Sequence, residues 1–240
     1  MQILISAIII AIITQIPIIH RYTRLLNTFI HEFGHAIFSI ISMGGVRKIK
    51  LNADTSGYAE ITSSWWGGRV ITAFGGYPFA SVFPSFMIYL LEQGYGEVVL
   101  WTLTMMLCLS AILWLRDLMS LAWASPLIAG FIMAIKYHVN LDWALFILMT
   151  IILLDSLSSS LTVARLSLRN YRSAGDATDL FDMTLIPPQI WGIIFVLISF
   201  LTFGYTVLLL VDLVPDYYSN VITTASEVFY FIEKFLRGTP

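Results

Sequence analysis

The chain has 240 residues, 58% of them hydrophobic and only 12% charged, with a mean hydropathy of +0.83. That balance excludes an ordinary soluble globular domain and places most of the chain in hydrocarbon. A formal net charge of -2 without a basic stripe argues against a nucleic-acid partner, and the single cysteine, Cys108, excludes a disulfide framework or a cysteine-based metal site.

Residues 3–19 form an apolar run with neither a basic n-region nor a small-residue cleavage site, so they are expected to be a retained membrane helix, ended or kinked by Pro17. After the polar stretch His20-Arg21-Tyr22-Thr23-Arg24, a second span is expected over residues 25–43, and it carries His31-Glu32-Phe33-Gly34-His35. Gly44-Gly45 stops that helix. Val46 to Leu51 alternates with period two, Asp54-Thr55-Ser56-Gly57 has turn chemistry, and Tyr58 to Thr62 returns as a partner strand, which predicts a β-hairpin over residues 46–62. Further spans are expected over residues 70–91, 98–115, 118–135, 143–164 and 191–211. The expected fold is therefore an all-α polytopic membrane protein of about six to seven transmembrane helices with one small hairpin. It forms a single integral-membrane domain over residues 1–240, with a loop over 166–188 and a tail over 213–240. In the tail, Val221, Val228, Phe231 and Phe235 have helical spacing, suited either to the membrane surface or to core packing.

If the spans alternate, Arg47, Lys48, Lys50, Arg69, Arg116, Arg165, Arg169 and Arg172 fall on one face, which is then cytoplasmic in a cell membrane. The hairpin and the 166–188 loop share that face.

His31 and His35 are four residues apart and project from one side of a helix, so their imidazoles can hold one zinc ion. Glu32 lies about 100° around the helix, where a carboxylate can take a proton from a metal-polarised water and pass it to a leaving amine. Polar residues on a buried face, satisfied by hydrogen bonds, are the bland alternative. Burying two histidines and a glutamate in an apolar span is expensive without a purpose, which favours the metal. Zinc needs a third protein ligand, and His20 and His138 lie at span ends. Position alone leaves two carboxylates open: Asp155 in the apolar run Ile151-Ile152-Leu153-Leu154-Asp155, and Asp176 ahead of a short helical stretch, where it could equally be a helix cap.

These residues resemble the site-2 protease family of intramembrane zinc metalloproteases, and especially its compact branch without PDZ or CBS domains. The resemblance runs from His31-Glu32-Phe33-Gly34-His35 through Met43-Gly44-Gly45-Val46-Arg47 and the hairpin with Asp54 and Gly57. It continues with Ala73-Phe74-Gly75-Gly76-Tyr77-Pro78, similar to the family's Gly-Pro helix, and Leu115-Arg116-Asp117-Leu118, similar to its Arg-Asn stretch. Gly175-Asp176-Ala177 with Leu180, Pro187 and Trp191 is similar to the branch's Ser-Asp-Ala segment. The resemblance implies Zn2+ held by His31, His35 and Asp176, Glu32 as general base, and a transmembrane protein or peptide as substrate, within membrane lipid. Two features depart from the family pattern: its better-known members use an Asp-Gly motif, and Ser81 stands where many carry Asn. A non-catalytic scaffold binding client helices, or a metal transporter, are the rival readings; transport calls for acidic or histidine residues in several spans, and only Asp155 adds one.

Overall fold

The computed structural model describes residues 16–63 and 65–211. The first described helix, α1 (Pro17–Ile41), is followed by strands β1 (Gly45–Leu51) and β2 (Gly57–Thr62), then by α2 (Trp66–Glu92), α3 (Gly96–Leu113), α4 (Leu118–Lys136) and α5 (Asp142–Arg169). A 3-10 turn (Tyr171–Ser173), the short helix α6 (Asp176–Thr184) and α7 (Pro188–Leu210) complete the described chain. By internal contacts the chain divides into Met1–Phe203 and Gly204–Pro240, and in the second unit the described residues are the last turns of α7 and Val211.

Five helices, α2, α3, α4, α5 and α7, are long and apolar enough to cross a membrane. Their unburied faces are greasy: Trp101, Met105, Leu109 and Ile112 on α3, and Ile193, Leu197, Phe200 and Leu201 on α7, are all about half exposed or more. Such faces suit lipid, where water would punish them. Among the described residues, seven helices and one small antiparallel hairpin make up the expected all-α polytopic membrane fold.

One boundary differs from expectation. The span over residues 3–19 lies outside the described residues except at its end, where Pro17 begins α1. Its fixed φ and missing N–H suit the first turn, so the polar stretch from His20 to Arg24 continues into the helix bearing the histidines. Pro78 and Pro84 lie within α2, which nevertheless runs unbroken. The expected tail over residues 213–240 also lies outside the described residues.

The core is built on the contact between α1 and α2. A Cβ on Gly34 would come within 2.7 Å of Phe79 Cβ and 3.2 Å of the Gly75 carbonyl oxygen, and one on Gly75 would overlap the Phe38 ring. Small residues of this kind let two membrane helices approach at backbone distance, where dispersion contacts do the holding. Ser81 on α2 hydrogen-bonds Ser199 on α7 at 2.7 Å, and Gly192 of α7 packs against Ser167 and Ala164 of α5.

The hairpin pairs Lys48 with Glu60 and Ile49 with Ala59, with an irregularity at Arg47. Its turn is fixed by Asp54 Oδ1, which accepts from the Ser56 N–H at 3.0 Å and from its hydroxyl at 2.6 Å, and by Thr28 Oγ1 of α1, which donates to the Thr55 carbonyl at 2.8 Å. The outer edge of β1 is taken: the Ile49 N–H donates to the Trp114 carbonyl at 2.9 Å and the Leu51 N–H to Ser120 Oγ at 2.9 Å. Ser120 is in turn held by Asp117, the N-cap of α4, so the Leu115-Arg116-Asp117-Leu118 stretch serves as an anchor for β1. Among the described residues, the outer edge of β2 has no strand beside it.

Gly34→Ala should lower stability by about 1–3 kcal/mol, because the added methyl meets α2 backbone and Cβ atoms that cannot swing away. Gly130→Ala in α4, where a Cβ would meet nothing within 4 Å, should leave stability unchanged or raised. Thermal unfolding of the two variants in detergent checks the contrast, and equal midpoints would refute the packing argument.

Candidate metal centre and active site

His31 and His35 project from one face of α1 with their rings edge to face, 4.6 Å between centroids. His35 Nδ1 lies 2.7 Å from the Thr72 carbonyl oxygen of α2. A carbonyl only accepts, so Nδ1 carries a proton, which leaves Nε2 as the nitrogen that can offer a lone pair to a metal. This orientation depends on Gly76, where a Cβ would sit 2.5–2.6 Å from atoms of both imidazoles.

Asp176 arrives from the opposite side. It opens α6 immediately after Gly175, whose φ of +54° and ψ of −126° form a conformation that side-chain-bearing residues avoid. α6 is held by Ala177 and Leu180, fully buried with Ala174, Val163 of α5 and Phe195 of α7, and by Trp66 of α2, whose indole N–H donates to the Met183 carbonyl at 2.8 Å. So placed, Asp176 Oδ2 is 3.3 Å from His31 Nε2 and 3.2 Å from His35 Nε2, which are themselves 3.1 Å apart. Burial opposes ionisation of Asp176, but His35 and His31 outweigh it and hold the carboxyl below the usual carboxylate range.

This arrangement fits a metal ion. Three donor atoms lie mutually within hydrogen-bond distance, yet Asp176 Oδ2 is buried with no hydrogen-bond partner. A tetrahedral zinc ion with bonds of about 2.0–2.1 Å sets its ligand atoms about 3.3 Å apart, close to the separations found. Among the described residues, this is the one cluster of three or more His, Cys, Asp or Glu groups that could hold a metal ion.

Asp155, the other carboxylate left open by position, is not part of that cluster; its nearest charged neighbours are His20 and Arg24 of α1. His138 lies in the α4–α5 connection and does not join the cluster either. Ser81 is fully buried, donating to the Tyr77 carbonyl and paired with Ser199, and does not line the cavities around the cluster.

Glu32 faces the hairpin: the Ala59 N–H of β2 donates to its carboxylate, and a Cβ on Gly57 would lie 3.2 Å from its Cγ. From here a groove of about 820 Å³ follows β2, with Gly57, Ala59 and Ile61 on one side and Asp179, Asp182 and Met183 of α6 on the other. The expected sharing of one face by the hairpin and the 166–188 loop is seen in this groove. Burial, then the charges of Asp176 and Asp182, push the Asp179 carboxyl up. A smaller cavity of about 260 Å³ opens on the other side of the cluster, lined by Asn27, His31, Glu32, Tyr77 and Asp176 among others.

Sequence reasoning missed Thr72, Gly76 and Tyr77 as site residues. Thr72 acts through its backbone and leaves no side-chain signal. Gly76 and Tyr77 lay in plain view in the Ala73 to Pro78 segment, and helical phasing of α2 against the histidines would have brought them to the site.

The sequence matches the peptidase M50B-like family over residues 4–206. No curated protein and no solved structure matches it significantly. The matched region contains both histidines, Glu32 and Asp176, and extends through all seven described helices as far as the last turns of α7. The chain belongs to the M50B-like peptidases, in the site-2 protease family of multi-pass membrane proteins.

Proposed function

We propose that the protein is an intramembrane zinc metalloprotease that hydrolyses peptide bonds of membrane-spanning substrates, with His31, His35 and Asp176 as zinc ligands and Glu32 as general base. The observation that carries this reading is the convergence of Nε2, Nε2 and Oδ2 at 3.1–3.3 Å beside a buried glutamate, in a member of a peptidase family. When bound, zinc supplies Lewis-acid polarisation of the scissile carbonyl and of the attacking water. The Thr72 carbonyl fixes the tautomer of His35. The Ala59 N–H orients the Glu32 carboxylate, which takes the water's proton and returns it to the leaving nitrogen.

A transmembrane helix hides its peptide bonds in internal hydrogen bonds, so the substrate must unwind before attack. The free edge of β2 offers an unwound segment new backbone partners alongside Glu32, and the groove gives it room. The basic residues around the hairpin support a cytoplasmic position for this face.

Zinc stoichiometry on purified protein should be near one per chain in the wild type and in Asp155→Ala, and should fall by at least about tenfold in affinity in His35→Ala and Asp176→Ala. Metal retained by Asp176→Ala and lost by Asp155→Ala would reverse the ligand assignment. Glu32→Gln should keep its zinc while losing hydrolysis of a reconstituted library of membrane-spanning peptides by about 10²-fold or more. Undiminished turnover in that variant removes the base role. A zinc-loaded wild type that cleaves no member of the library would instead favour a scaffold that binds client helices. Gly175→Ala should weaken zinc binding with the ligands all intact, since backbone strain of about 1–3 kcal/mol falls on the residue that aims Asp176.

A further inference from the structure

We propose that Tyr77 is a catalytic residue, its phenolic hydroxyl donating a hydrogen bond to the oxyanion that forms on the scissile carbonyl. The proposal rests on the protease reading above.

Tyr77 follows Gly76 on α2, directly over the histidines. Its ring stands edge-on to His31 with centroids 4.5 Å apart, and stacks on Phe195 of α7 at 4.7 Å. Contacts on two sides leave the ring one orientation. The hydroxyl is different: it makes no hydrogen bond to any described residue and is not sealed in by protein. Trp123 and Trp191 also carry unpartnered N–H groups, but theirs are enclosed. Tyr22, Trp65 and Trp66 all direct their polar atoms to backbone carbonyls. Tyr77 instead lines the cavity shared by His31, Glu32 and Asp176. A donor held rigidly by its ring and left open to the cavity is an arrangement suited to stabilising charge that develops there.

The chemistry needs such a donor. Water oxygen attacks the carbonyl carbon and a C–O bond forms while the carbonyl π pair moves onto oxygen. Glu32 takes the water's proton, then delivers it to the nitrogen as the C–N bond breaks and the carbonyl is restored. Negative charge thus appears on the substrate oxygen in a site that already holds the Glu32 and Asp176 carboxylates. Phenol is a neutral donor at physiological pH, keeps its own proton throughout, and stabilises the charge without entering the proton balance. Ser81 cannot serve, because its hydroxyl is buried and engaged by Tyr77 O and Ser199 Oγ.

Tyr77→Phe removes the hydroxyl and keeps the ring, so zinc content and thermal midpoint should match the wild type. On a cleaved library peptide, kcat should fall by about 10²-fold with KM within about threefold. A second readout needs no turnover. A phosphinic Leu-Ala pseudopeptide mimics the tetrahedral oxyanion, whereas a thiol with the same side chains binds zinc without one. Tyr77→Phe should weaken the phosphinate by about 10- to 100-fold and leave the thiol unchanged. Equal phosphinate affinity in wild type and variant overturns the proposal, as does loss of zinc or of thermal stability in Tyr77→Phe, which would mark a structural role. A wild type that binds zinc and both inhibitors but cleaves nothing, alongside a weakened Tyr77→Phe–phosphinate complex, sinks the protease reading and retains the oxyanion contact.

Discussion

The close approach of α1 and α2 at Gly34, Gly75 and Gly76 is the constraint on which the rest of the site depends. Without a side chain at these positions, α2 can bring the Thr72 carbonyl to His35 and the Tyr77 ring to His31. Dispersion between surfaces so close is strong, and in hydrocarbon there is no hydrophobic drive to replace it. The glycines thus do two jobs: they hold the helix pair together, and they set the imidazoles in one tautomer and one orientation.

Around this pair the molecule adds two walls from opposite directions, each anchored away from the candidate metal cluster. The hairpin is tied to α1 through Thr28 and to the α3–α4 connection through Ile49, Leu51 and the Asp117 cap. α6 is tied to α2 through Trp66 and to α5 and α7 through Leu180 and its apolar neighbours. With both walls anchored elsewhere, Glu32 and Asp176 are positioned by packing that a metal need not create. Preorganisation of this kind is what makes a buried charge cluster useful rather than merely expensive.

Much of this was legible in the residues. The histidine pair, the apolar runs and the hairpin each follow a period that a sequence displays directly, and five predicted spans correspond to helices within a few residues of their ends. The start of α1 at Pro17, eight residues ahead of the expected second span, was not legible because the polar stretch from His20 to Arg24 reads as a connection. The choice between Asp155 and Asp176 could not come from position, since it depends on where a nine-residue helix docks across three others. Nor could the role of Thr72, a backbone carbonyl that any residue would have supplied.

The histidines also sit at a fixed count from the end of their helix. From Ile41, the C-terminal residue of α1, His35 and His31 lie about 9 and 15 Å along the axis at 1.5 Å per residue. On the proposed protease reading, depth is measured by helical turns, and a substrate must bring its unwound segment to that level. Bilayer thickness thereby becomes part of the recognition: in a membrane a few ångströms thinner or thicker, a client span tilts or shifts to match, and a different bond of the same sequence stands level with the ligands. The lipid would help to choose the product.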